Sequence, residues 1–69
     1  MKPIKGKKYR IHYKGPFFYN DYFGDGVCNG KIEKNENSDG SIEYWYGFDL
    51  PKEDETIWFA EEDIVDEVV

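Results

Sequence analysis

The stretch SIEYWYGFDL, residues 41 to 50, decides how this chain folds. Ile42, Tyr44, Tyr46, Phe48 and Leu50 occupy every second position, with Glu43, Trp45, Gly47 and Asp49 between them. That is the period of a strand with one buried face, whereas a helix would scatter the five apolar side chains around its circumference. Trp45 is therefore expected to point outward, on the face opposite Tyr44 and Tyr46.

Upstream, Asn35 to Gly40 (NENSDG) ends in Asp39-Gly40, a hairpin signal that joins the organising strand antiparallel to the segment before it. That segment, Asp25 to Lys34, reads as a strand in which Gly26 and Gly30 mark bulges or sharp bends. The spacing of Gly24, Gly26 and Gly30 is not a phosphate-binding signature, because Lys31, Ile32 and Glu33 open no helix. Lys7 to Tyr13 alternates again, with Tyr9, Ile11 and Tyr13 on one face and Lys8, Arg10 and His12 on the other. Residues 1 to 6 read as a lead-in, broken by Pro3 and Gly6.

Lys14 to Gly24 (KGPFFYNDYFG) combines turn formers with Phe17, Phe18, Tyr19, Tyr22 and Phe23. Turn chemistry predicts a loop, some of whose rings fold back over the barrel mouth while others form an exposed patch. Downstream, Pro51 has no N–H to give a ladder and ends the organising strand. After the acidic connection Pro51 to Glu55, Thr56 to Phe59 reads as a strand with Ile57 and Phe59 inward and Trp58 outward. Ala60 to Asp63 predicts a single 3₁₀ turn, followed by a short strand from Ile64 and a frayed tail at residues 67 to 69.

The sum is one all-β domain of five short antiparallel strands near residues 7 to 13, 25 to 34, 41 to 50, 56 to 59 and 64 to 66. The expected core is Ile11, Val27, Ile42, Tyr44, Tyr46, Phe48, Ile57 and Phe59. YRIHY, GDGVCNGKI, IEYWYGFDL and IWFAEEDIV, in this order, resemble an SH3-like small barrel, and the aromatic-then-acidic last turn is similar to the end of Tudor-type and bacterial SH3-like domains. The resemblance implies a five-stranded antiparallel barrel with one 3₁₀ turn near the C-terminus. The Tudor-type comparison implies an aromatic cage for a cationic side chain, with Tyr19, Tyr22, Trp45 and Trp58 as its rings. Peptide-binding SH3 domains carry an ALYDY-like first strand and a Pro-x-x-Tyr near the end, and this chain has neither.

With 69 residues the chain is near the lower size limit for independent folding and leaves no room for a deep cleft. Aromatics make up 19% of it, so a few large rings can build a core that small aliphatics would not. Cys28 is the only cysteine, which excludes an internal disulfide and a multi-thiolate zinc site. His12, the only histidine, is expected on the solvated face of its strand with no second histidine to complete a metal or catalytic site. No cofactor is implied. MKPIKGKKYRIHY lacks the apolar run of a signal peptide and nothing approaches a membrane span, so a cytoplasmic location is expected.

The net charge of −6 is unevenly placed. Residues 1 to 34 hold eight Lys/Arg against three Asp/Glu, and residues 35 to 69 hold one Lys against twelve Asp/Glu. Basic and acidic strands are expected to neutralise one another where they pair. General acid-base catalysis needs paired groups in contrasting environments, and these carboxylates sit in turns and tails, so no enzyme is expected. The favoured reading is a module that binds a basic protein partner through an outward aromatic patch. Trp45 and Trp58 form it, helped by Tyr19 and Tyr22 and rimmed by Glu43, Glu61 and Glu62. Two alternatives compete: nucleic-acid binding by Lys5, Lys7, Lys8, Arg10 and Lys14, or an acidic decoy that mimics nucleic acid.

Overall fold

The computed structural model describes residues 1–15 and 21–69. Five antiparallel strands, β1 (Lys8–Tyr13), β2 (Tyr22–Glu36), β3 (Ile42–Asp49), β4 (Ile57–Ala60) and β5 (Ile64–Glu67), form one sheet in the order β4-β3-β2-β1-β5. A 3₁₀ turn, Glu61–Asp63, separates the last two strands. The fold class is all-β, as the alternation predicts. The sheet does not close on itself: β4 and β5 are its two edges. Among the described residues no helix is long and apolar enough to cross a membrane.

Cross-strand pairs place one face inward. Tyr9 lies opposite Gly26, Ile11 opposite Gly24 and Tyr13 opposite Tyr22 across β1–β2, and Ile11 also faces Ile64 on β5. On the other side of β2, Cys28 pairs with Phe48, which pairs in turn with Ile57, while Tyr46 pairs with Phe59. Directly opposite residues share a face, so these rows converge on one core of Tyr9, Ile11, Tyr13, Cys28, Tyr46, Phe48, Leu50, Phe59 and Ile64. Phe59 is its hub, with ring centroids 5.7 Å from Tyr13, 5.8 Å from Phe48 and 6.0 Å from Tyr22. Full burial of side chains this large is worth about 1.5 to 3 kcal/mol each, and edge-on ring pairs add to it.

Four expectations are corrected. Ile42 and Tyr44 lie on the predicted face of β3 but are each 47% exposed, because that end of the strand has run past the core. Val27 is only partly buried, on the opposite face, and pairs with Lys8 and Asp49. Tyr22 and Phe23 belong to β2 rather than to the preceding loop, since both pair with β1. The C-terminal segment is tied down rather than frayed: Glu67 pairs with Tyr9, and the Val68 N–H donates to Lys8 O at 2.9 Å. The expectations for Phe17, Phe18 and Tyr19 lie outside the described residues.

The glycines divide into two roles. Gly26 makes room, since a Cβ there would sit 2.7 Å from Leu50 Cδ2 and 3.1 Å from Ile11 Cδ1. The irregularity lies further on, where Asn29, Gly30 and Lys31 stand against the single residue Gly47 between the pairs Cys28–Phe48 and Ile32–Tyr46. Gly30 there has φ +84°, a conformation that costs other residues strain. The extra length bends β2, and beyond the bend β2 and the start of β3 continue as a projecting hairpin. Its turn is closed by the Gly40 N–H to Asn37 O (3.0 Å) and the Asn37 N–H to Ser41 O (2.8 Å), with Asp39 Oδ1 accepting from the Ser41 N–H and hydroxyl.

Charge neutralisation is visible at β1. Arg10 lies opposite Asp25 on one neighbour and Asp66 on the other, with its Nε 3.6 Å from Asp66 Oδ1, and Lys7 Nζ is 3.5 Å from Glu67 Oε2. These groups are about half exposed, and each such pair contributes roughly 0 to 1 kcal/mol. They therefore favour the β1–β5 pairing more than they stabilise the fold.

Candidate functional site

β4 is only four residues long and reaches β3 no further than the pair Ala60–Trp45. Beyond Ala60 the chain leaves the sheet as the 3₁₀ turn, while β3 continues outward along the hairpin. The step between the short strand and the long hairpin is an open groove of about 800 Å³. Asn35, Ile42, Glu43, Tyr44 and Trp45 line the hairpin side, and Ala60, Glu61 and Glu62 line the other. Three glutamates and no Lys or Arg face the space. Glu33, directly across from Trp45 on β2, adds a fourth carboxylate to the same outer face.

The 3₁₀ turn that carries Glu61 and Glu62 is fixed from both ends. The Ala60 N–H donates to Asp63 Oδ2 at 3.1 Å, and the Tyr46 hydroxyl, rising from the core, donates to Glu61 Oε1 at 3.4 Å. The Met1 amino group lies 3.3 Å from Glu61 Oε2. Burial pushes the Asp63 carboxyl above the usual Asp range, and the Glu62 charge adds to this while the Ala60 N–H opposes it. Desolvation, with the Glu61 charge behind it, also raises the Tyr46 phenol.

Most of the residues expected at a binding surface meet here. Trp45, Glu43, Glu61 and Glu62 line the one groove. Trp58 is on the same outer face, paired with Gly47 one outward position along from Trp45–Ala60, which makes the two indoles diagonal neighbours within reach of one another. Both indoles are half-buried. Tyr22 does not join them: it faces inward, its ring tilted against Phe59 and its hydroxyl donating to Asp25 O at 2.6 Å. Tyr19 lies outside the described residues.

Ile42 and Tyr44, expected in the core, are the groove residues that alternation misassigned. A signal for them exists in the strand lengths. The two central strands are long and their neighbours short, so the far ends of the central pair have nothing to pack against.

Gly47 keeps the outer face beside Trp58 low. Asn29 crosses above it, its side-chain amide donating to Asp49 Oδ1 (3.2 Å) and Thr56 Oγ1 (3.1 Å) and its Oδ1 accepting the Lys31 N–H (3.0 Å). A Cβ at Gly47 would lie 2.6 Å from that Oδ1 and 2.8 Å from Thr56 Cγ2. This polar latch ties the bulge of β2 to β3 and to the start of β4, and so holds in place the outer face that carries both indoles.

Among the described residues no three His, Cys, Asp or Glu side chains converge on a metal-sized site. Cys28 is buried in the core, and His12 is exposed with its ring edge-on to Phe23 at 5.3 Å. Comparison with protein-family models, with curated proteins and with solved structures returns no match for this chain.

Proposed function

We propose that this chain is an SH3-like interaction module that binds a basic segment of a protein partner, without catalysis, in the groove floored by Trp45. The observation that carries this reading is the convergence of an indole, a tyrosine and three carboxylates on one open groove that contains no cation of its own side chains. Aromatic surface supplies contact area at low entropic cost, and carboxylates at the rim steer and select a positively charged partner. The strand order, with one 3₁₀ turn between β4 and β5, supports the SH3-like reading. Nucleic-acid binding by the basic N-terminal stretch of Lys5, Lys7, Lys8, Arg10 and Lys14 has less support, because two of its cations, Lys7 and Arg10, are engaged by Glu67 and Asp66.

The test is a fluorescence titration of the folded domain with a lysine-rich peptide at two salt concentrations. Trp45→Ala weakens binding by about 2 kcal/mol or more while the thermal melt stays nearly unchanged. Replacing Glu43, Glu61 and Glu62 with Gln mainly slows association and flattens its salt dependence. A decoy of nucleic acid would show the opposite order, with the carboxylates decisive and the indole dispensable. Binding that is indifferent to Trp45→Ala refutes the proposal.

A further inference from the structure

Beyond the last pair with β4, the inner face of the projecting hairpin stays exposed. Lys34 lies opposite Tyr44 and Glu36 opposite Ile42 across β2–β3, so these four side chains form two adjacent rungs on one face. Ile32, opposite Tyr46, adjoins them nearer the core. Ile32 is 54% exposed, Ile42 and Tyr44 47% each, and Lys34 and Glu36 are exposed as well. Neither of these two charges has an ion partner among the described residues. The patch is an apolar column on β3 beside a column on β2 that holds one cation and one anion at the same spacing. It carries no net charge, in a chain whose net charge is −6.

We propose that this face packs against the same face of a second copy of the chain. Such a patch is complementary to itself under a two-fold axis. With the axis crossing the strands midway between the two rungs, each rung of one copy lies over the other rung of its mate. Lys34 then meets the second copy's Glu36, Tyr44 meets its Ile42, and Ile32 falls under its turn. An axis along the strands would instead set Lys34 on Tyr44 and Glu36 on Ile42, covering each charge with an apolar side chain. Stacked sheets align within about 30° of one another, and over two rungs that rotation keeps the pairs together. Covering the apolar column drives the association, while the exposed ion pairs select the arrangement more than they strengthen it. Because the hairpin projects, the two bodies lie at opposite ends of the stacked pair. The second copy covers the Ile42 and Tyr44 flank of the groove but not Glu43 and Trp45, which point from the other face of β3, so the inference does not depend on the groove reading.

The test uses the folded chain itself, followed by sedimentation equilibrium over a concentration series. A patch of this size supports a weak dimer, which appears as the concentration rises into the upper micromolar range. Lys34→Glu and Glu36→Lys, each alone, set like charges against one another on both sides of the axis and lower dimerisation by about tenfold or more. The double variant K34E/E36K restores it. An equimolar mixture of the two single variants, one of them isotope-labelled, restores it as a heterodimer that native mass spectrometry identifies. Tyr44→Ala, which removes the largest ring of the apolar column, also lowers dimerisation by about tenfold or more. A chain that stays monomeric throughout overturns the proposal. So does a dimer indifferent to both single reversals, or a loss that neither the double variant nor mixing repairs.

Discussion

Phe48 and Tyr44 sit on the same face of the same strand, two alternations apart, and truncating each should have very different consequences. Phe48 is 0% exposed, with its ring at 90° to Tyr9 and edge-on to Phe59. Phe48→Ala removes the transfer energy of the ring, two ring contacts and the filling of its space, for a loss of about 3 to 5 kcal/mol. A chain of this length has a total stability of roughly 3 to 10 kcal/mol, so the variant loses about a third of it or more and no longer melts cooperatively in the lower half of that range. Tyr44 is 47% exposed and lies beyond the reach of β4, so Tyr44→Ala costs about 1 kcal/mol or less. Guanidinium unfolding followed by tryptophan fluorescence measures both. If Tyr44→Ala costs as much as Phe48→Ala, β3 does not leave the core where the structure has it leaving. A Phe48→Ala loss below about 1.5 kcal/mol would show that Phe48 is not central to the core.

Three further outcomes are expected. Gly47→Ala forces its Cβ against Asn29 and Thr56 and should cost about 1 to 3 kcal/mol; unchanged denaturant midpoints would show that the latch yields freely. Asp63 has its folded pKa raised by burial, so its favourable contribution is complete below the ordinary value of 3.8 and is lost as pH rises from there through the folded pKa. Asp63→Asn, which keeps an acceptor for the Ala60 N–H, should therefore match the parent at about pH 3 and exceed it in stability at about pH 7, and a pH-independent difference in denaturant midpoint contradicts this. Trp45→Ala should lower affinity for a basic peptide with little change in melting temperature, and a large fall in that temperature would make the indole part of the fold rather than of a surface.

The sequence alone determined the strands, because alternation and turn chemistry are local. Residues 41 to 50 could bury one face only as a strand, Asp39-Gly40 could only close a turn beside it, and Pro51 had to end it. The outward placement of Trp45 and Trp58 follows from the same period. Which part of an alternating face is buried is not local, since it depends on how far the neighbouring strands extend. Tyr44 and Tyr46 have the same pattern around them; β4 reaches one and stops short of the other, so one is core and the other lines a groove. Glycine behaves likewise: one opposite Tyr9 makes room for packing and one four residues later bends the strand, and only the cross-strand register separates the two. The tertiary structure thus decided the groove, because a groove is a difference in length between strands distant in sequence, whereas the strands themselves are a property of each segment.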